Sequence, residues 1–425
     1  MIAPLVLPPD VLANLERVGP ADVVVGVPPI EHAGDLVNTV RAIQAGLERH
    51  LPGHRGVIVS AEAGPENAIE NAVGVGGGQS FLQVSYPLYP VHRLAVPYHG
   101  VPARGIAFRT VFEVARRLDA RACAIVEGTD TAFSADCLPA LLSPVLEHDY
   151  DFVAPHYLRP KYDGMITRAI VYPLTRSLYG LRVRQLIGAE FAFSARLVAD
   201  CLAQDLWSSD VARYGIDISL ATWAMAGGYR ACQASLGARG ARAFEATTDL
   251  STMLVQVVGC VFAEMMRHAA RWQKLRGSTD VPLFGRCAGE TGEPADINVR
   301  PMLDAFHLGL QALPPVWALF VSPAAIVDLR KAARAPESDF RLPDDLWVRV
   351  VHDFAVGYRQ RPIPREQLLQ ALTPLYLGWV ASFVLEMREA DPEAVEQRLE
   401  RLCVAFETHK GELIARWRWP DRFNP

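Results

Sequence analysis

The segment DVVVGV at residues 22–27 constrains this chain more than any other feature. An unbroken β-branched run of this kind reads as a strand buried on both faces, as in a parallel sheet. Pro28 and Pro29 end it. Residues 35–50 then carry Leu36, Val40, Ile43 and Leu47 at helical spacing, and GVIVS at residues 56–60 reads as a second strand. Strand, helix and strand in this order form a βαβ unit, which favours a right-handed crossover and a ligand crevice at the carboxyl ends of the strands.

The alternation continues along the chain. A helix is expected near residues 107–118 and a strand at 122–126 (ACAIV), followed by the polar turn EGTD. That turn puts Glu127 and Asp130 at a strand's end, where carboxylates are placed for ligand chemistry. A further helix (137–147), a strand (151–155) and the alternating segment GAEFAFS (188–194) extend the α/β pattern, and GVGGG at 74–78 reads as a flexible loop. From 249 to 276 the apolar period becomes helical, with Thr248 or Asp249 as candidate N-cap and Gly277 as candidate terminator. A Gly/Pro-rich connector (277–301) precedes four helix-like stretches, 302–317, 344–358, 365–388 and 392–417. The expectation is an α/β, Rossmann-like domain over residues 1–276 and a mainly helical domain over residues 277–425. No GxGxxG follows the first strand, which argues against a dinucleotide-dependent oxidoreductase.

The 425 residues carry a net charge of −5, which gives no support to a nucleic-acid partner. The N-terminus lacks the basic and apolar regions of a secretory signal, so a cytoplasmic location is expected. Seven scattered cysteines without a CxxC pair fit reduced core thiols. Two apolar stretches, 250–266 and 371–385, approach spanning length, but polar residues in the first favour buried helices and no integral membrane segment is expected. The broad apolar helical faces are compatible with a homo-oligomer.

Four ordered blocks then carry a family resemblance: YLRPKYDGMITRAIVYPLTRSLYG with RQLIGAEFAFS between Tyr157 and Ser194, YGID ending at Asp217, and DLSTML from Asp249. Over most of its length the chain resembles the retaining GT-A glycosyltransferases that make mannosylglycerate or glucosylglycerate. The resemblance implies a GT-A nucleotide-sugar-binding domain, a nucleotide-sugar donor, a small carboxylate acceptor such as D-glycerate, and Mg²⁺ or Mn²⁺ as cofactor. Arg159 and Thr167 match the residues that grip the acceptor carboxylate, chemistry that suits a guanidinium and a hydroxyl. Spacing alone equally permits an Arg159–Asp163 pair on a loop.

Pro102-Ala103-Arg104-Gly105 matches the family's PGKG element, so the resemblance places Arg104 at the donor diphosphate. Gly188-Ala189-Glu190 matches a Gly-Gly-acid segment, and Asp217 matches the acid that touches the donor sugar. Carboxylates there accept sugar hydroxyls and stabilise positive charge at the anomeric carbon. Glu190 and Asp217 are therefore the candidate catalytic pair, although Asp217 could equally cap the helix that follows it.

The departures concern the donor and the metal. The family's Asp-x-Asp turn becomes Glu127 and Thr129, with Asp130 one residue out of register, and its metal-binding histidine and a nearby tyrosine become Ala241 and Phe244. Glu127 and Asp130 remain the candidate metal ligands, with Arg104 and Arg242 as alternative counter-charges for the diphosphate. Pro28 and Glu31 replace an Asn-rich turn, and Glu62 stands for the acid near the base or ribose. Two functions follow: an active hexosyltransferase, or a catalytically silent homologue that binds a sugar nucleotide or a carboxylate metabolite as regulator or partner.

Overall fold

The structure, a computed structural model, describes residues 7–28, 33–63, 80–86, 104–127, 133–204, 206–207, 215–238, 250–286 and 296–419. The chain divides into two compact units. The first comprises Met1–Leu158, Val183–Gly240 and Asp280–Thr291, and the second Arg159–Arg182, Ala241–Thr279 and Gly292–Pro425. The boundary expected at residue 277 does not match this division. Two helical stretches from the first two-thirds of the chain cluster with the C-terminal helices.

Among the described residues all the strands belong to the first unit: β1 (Val23–Val27), β2 (Gly56–Ala63), β3 (Ser80–Tyr86), β4 (Ala122–Val126), β5 (Phe152–Leu158), β6 (Glu190–Ser194), β7 (Ala231–Ala238) and β8 (Leu283–Phe284). They form one sheet in the order β3-β2-β1-β4-β6-β5-β7-β8. Every neighbouring pair is parallel except those of β6, which runs antiparallel to both β4 and β5. This is the α/β, Rossmann-like architecture expected from the sequence, with a mainly helical C-terminal part.

β1 and β4 are buried along their whole length, as strands covered on both faces must be. On one face, Val23, Val25 and Val27 meet Leu36, Val40, Ile43 and Leu47 of helix Ala33–His50, together with helix Leu138–His148. Burying each such side chain contributes about 1.5–3 kcal/mol. On the other face lies helix Arg104–Arg117, and glycine is required for its close approach. A Cβ on Gly26 would come within 2.4 Å of the Val111 side chain. This packing fixes the start of the helix, and with it Arg104, beside the strand ends.

The sequence reading omits β3, β7 and helix Ala195–Ala203. The glycine run at 74–78 lies outside the described residues. The long helix expected at 249–276 is shorter: Leu250–Arg267 stops at His268, and Ala269–Trp272 follows as a separate turn. Its candidate caps Thr248 and Asp249 lie outside the described residues.

In the second unit, helix Leu250–Arg267 packs against Arg365–Gln370 and Asp344–Gln360, and helix Tyr172–Tyr179 packs against Pro392–Thr408. Arg176 explains why residues 159–182 join this unit. Its buried guanidinium donates two hydrogen bonds to Glu400, at 2.6 and 2.7 Å, and one to Glu407 at 2.8 Å. Among the described residues, Leu250–Arg267 and Arg365–Met387 are long and apolar enough to cross a membrane by length and composition, and 78% of the second window is buried within the protein. Cys123, Cys201, Cys232, Cys260 and Cys403 are buried. Cys137 is disulfide-bonded, which corrects the expectation that every cysteine is reduced.

Candidate functional site

The first unit gathers Arg104, Glu127, Gly188, Glu190 and Asp217 at the carboxyl end of β4. Glu127 follows β4 directly, and its N–H donates to the Ala189 carbonyl at 2.8 Å. Glu190 begins β6 and pairs with Val126, so antiparallel pairing brings both acids to one end of the sheet. Asp217 lies in the first turn of helix Ile216–Gly227. Gly215 occupies the cap position, so Asp217 is a buried helical residue and does not serve as the N-cap. An acid in a first turn is favoured by the helix dipole, and a cation there is disfavoured. Arg104, which opens its own helix, therefore requires compensation from elsewhere.

Two carboxylates supply it. Arg104 Nε donates to Glu127 Oε1 at 2.5 Å, and Nη1 lies 3.1 Å from Asp217 Oδ1. Nη2 donates to the Gly188 carbonyl at 3.0 Å, and the guanidinium carbon lies 4.7 Å from the centroid of the Phe108 ring. The side chains of Arg104, Glu127 and Asp217 are at most 5% exposed. Arg104 is thus a buried ion-pair hub.

Burial works to lower the Arg104 pKa, but the charges of Glu127 and Asp217 and their hydrogen bonds outweigh it, leaving the value above the ordinary arginine range. Burial raises the Asp217 pKa. The Arg104 charge pulls it back only in part, helped by the backbone N–H groups of Asp217 itself and Gly188, and the value stays above the ordinary carboxylate range. The arginine governs the pair, because a guanidinium does not lose its proton in proteins.

Tyr157 holds Glu190: its hydroxyl donates to Glu190 Oε2 and accepts from the Ala189 N–H at 3.1 Å. Gly188 completes the turn, since a Cβ there would meet Pro155 Cγ at 2.4 Å. The sequence reading assigns no role to Tyr157. The signal was its place in FVAPHYL, one strand face away from the Gly-Ala-Glu turn, but a tyrosine in a strand carries no mark of its partner.

Of the other candidates, Pro28 is buried just after β1, and Glu62 lies in β2 opposite Ser85 of β3. Glu31, Asp130, Ala241, Arg242 and Phe244 lie outside the described residues. Arg159 and Thr167 belong to the second unit. Arg159 Nη1 donates to Asp163 at 2.7 Å, so the loop pair permitted by spacing does form. Thr167 opens a π-helical turn, Thr167–Val171, which leads into helix Tyr172–Tyr179. π-turns inside helices recur at functional sites. The turn is anchored by Trp347, whose indole N–H donates to the Ala169 carbonyl at 3.0 Å.

A divalent ion requires hard oxygen ligands, not already held by another cation, at about 2.0–2.6 Å. Glu127 does not offer them, because Arg104 already lies on its carboxylate. Among the described residues no group of three or more His, Cys, Asp or Glu could hold a metal ion. The described part of the expected Glu127 and Asp130 site therefore does not fit Mg²⁺ or Mn²⁺.

No protein-family model and no curated protein matches the chain. Solved structures do. Glucosyl-3-phosphoglycerate synthase from Mycobacterium tuberculosis, in complex with phosphoglyceric acid, is 15% identical; the match covers 61% of this chain and 84% of that one, with a TM-score of 0.39. Mannosyl-3-phosphoglycerate synthase from Rubrobacter xylanophilus is 21% identical, covering 63% and 81% with a TM-score of 0.38. A mannosyltransferase from Pyrobaculum calidifontis, in complex with GDP-Man and Mn²⁺, is 11% identical, covering 97% and 95% with a TM-score of 0.41. Glycosyl transfer is common to the three names. The likeness concerns the course of the chain.

Proposed function

We propose that the protein transfers a hexosyl group, glucosyl or mannosyl, from a nucleotide-diphosphate sugar to D-glycerate or a similar small hydroxy acid. The observation that carries this reading is the gathering of Glu127 and Asp217 around Arg104 at the carboxyl end of β4, with Glu190 opposite Val126 at the start of β6. Carboxylates at that end of an α/β sheet accept hydrogen bonds from sugar hydroxyls, and they stabilise positive charge at the anomeric carbon as its bond to phosphate breaks. The bonding electrons leave with the phosphate oxygen, the acceptor hydroxyl forms the new bond to the anomeric carbon, and the leaving phosphate takes the hydroxyl proton. Glu190, oriented by Tyr157, and Asp217, oriented by Arg104, position the donor sugar. Within the second unit, Arg159 and Thr167 are the residues the family resemblance offers for a small carboxylate, for which Arg159 would exchange its bond to Asp163.

Arg104 takes a different part from the one its motif suggests. It neutralises Glu127 and Asp217, so in this conformation its charge is not available to a diphosphate. The same observation favours a second reading, a silent homologue that binds sugar nucleotide or carboxylate without transfer. Incubation with D-glycerate and GDP-mannose, GDP-glucose, UDP-glucose or ADP-glucose, followed by mass spectrometry, separates the two. A glycosyl-glycerate product establishes transfer and names the donor. Absence of product with every donor, together with glycerate binding that Arg159→Ala abolishes, establishes the silent reading.

A further inference from the structure

We propose that Arg104 is the resident cation of this site, its guanidinium holding the place between the Glu127 and Asp217 carboxylates that a divalent ion would otherwise take. A divalent ion then binds there only when Arg104 is removed. The inference rests on reading this cluster as the donor site, and it adds what occupies the space between that site's two buried acids.

Geometry carries the argument. The guanidinium reaches both acids at once, 2.5 Å from Glu127 and 3.1 Å from Asp217, and its remaining nitrogen is spent on the Gly188 carbonyl. The Phe108 ring lies alongside, so the side chain is held on several sides. Two carboxylates buried this deeply require a cation beside them. An arginine that never deprotonates meets that requirement at any working pH.

The partners of the guanidinium are also all oxygens: two carboxylates from different elements and one backbone carbonyl. That is the hard, oxygen-only set that Mg²⁺ and Mn²⁺ select. Truncating Arg104 removes the charge it places on these oxygens and opens the space its guanidinium fills between them. An ion entering there would restore the neutralisation the arginine provides.

The test is Mn²⁺ binding by electron paramagnetic resonance and Mn²⁺-dependent thermal stabilisation, on the full chain without donor or acceptor. Because no substrate is present, failure of the transferase reading leaves this result unaffected. The expected result is that Arg104→Ala binds Mn²⁺ at least tenfold more tightly than the unaltered protein, and that adding Glu127→Gln to Arg104→Ala abolishes the gain. Arg104→Gln, which is neutral but fills part of the space, serves as the second variant should the alanine form fail to fold, and it is expected to show a smaller gain in the same direction. Mn²⁺ binding by the unaltered protein that Glu127→Gln removes would overturn the proposal. So would a folded Arg104 variant with no gain.

Discussion

Nε of Arg104 lies 2.5 Å from the carboxylate of Glu127, and both side chains are almost wholly withdrawn from solvent. The two residues come from different elements, the first turn of a helix and the end of a strand, so the bond joins the two layers of the first unit at the candidate site. A buried pair of this kind is a weak source of net stability, but it is expensive to break from one side.

Arg104→Ala is therefore expected to destabilise the fold by about 3–5 kcal/mol, because Glu127 and Asp217 each lose a buried guanidinium partner. Pairing it with Asp217→Asn should recover part of the loss. Urea unfolding of the single and double variants measures this, and strictly additive losses would show that the residues do not act as one unit.

Gly26→Ala is expected to cost about 1–3 kcal/mol by overpacking, since the new methyl group would meet the Val111 side chain at 2.4 Å. Because that contact seats the helix that begins at Arg104, sugar-nucleotide affinity should fall along with stability. Denaturant midpoints and calorimetry report the two effects separately.

Tyr157→Phe removes one hydroxyl that serves both Glu190 and the Ala189 N–H. The buried carboxylate loses one donor, with an expected cost of about 1–3 kcal/mol. If Glu190 positions the donor sugar, turnover falls more than stability does, so a variant that melts early yet works normally would argue against that role.

Asp163 competes with any acceptor for Arg159. Asp163→Asn is expected to tighten glycerate binding, and Arg159→Ala to abolish it. The pair is only partly buried and contributes about 0–1 kcal/mol, so neither change should shift the melting temperature much. Titration calorimetry decides, and weaker binding by Asp163→Asn would place the acceptor elsewhere.

His352 in the second unit sets a pH dependence. Burial, assisted by the charges of His409 and Arg416, lowers its pKa to about 3. The folded protein thus keeps this imidazole neutral, whereas the unfolded chain protonates it near the ordinary value. The resulting stability is complete above about pH 6.5 and is lost as pH falls towards 3, amounting to on the order of 5 kcal/mol. His352→Gln should flatten the stability profile across that window, as read from urea midpoints at successive pH values.

Much of the fold was legible because it is written locally. DVVVGV, ACAIV and GVIVS are β-branched or apolar runs whose burial follows from composition, and they became β1, β4 and β2. β3 and β7 went unread because SFLQVSY and ACQASLGA mix polar and small residues, and only pairing with β2 and β5 makes them strands. The division into units escaped for a related reason. Residues 159–182 follow β5 in sequence, but their attachment is decided by Arg176 meeting Glu400 and Glu407, more than two hundred residues away.

By itself the sequence determined the βαβ opening, the helical C-terminal part, and the candidate residues Arg104, Glu127, Glu190 and Asp217, because periodicity and motif order are properties of neighbours along the chain. The tertiary structure alone decided that Arg104, Glu127 and Asp217 form one buried ion-pair cluster and that Tyr157 orients Glu190. Whether a charge faces solvent, ligand or another charge depends on which elements the sheet brings together, and a buried carboxylate takes the nearest cation the fold provides.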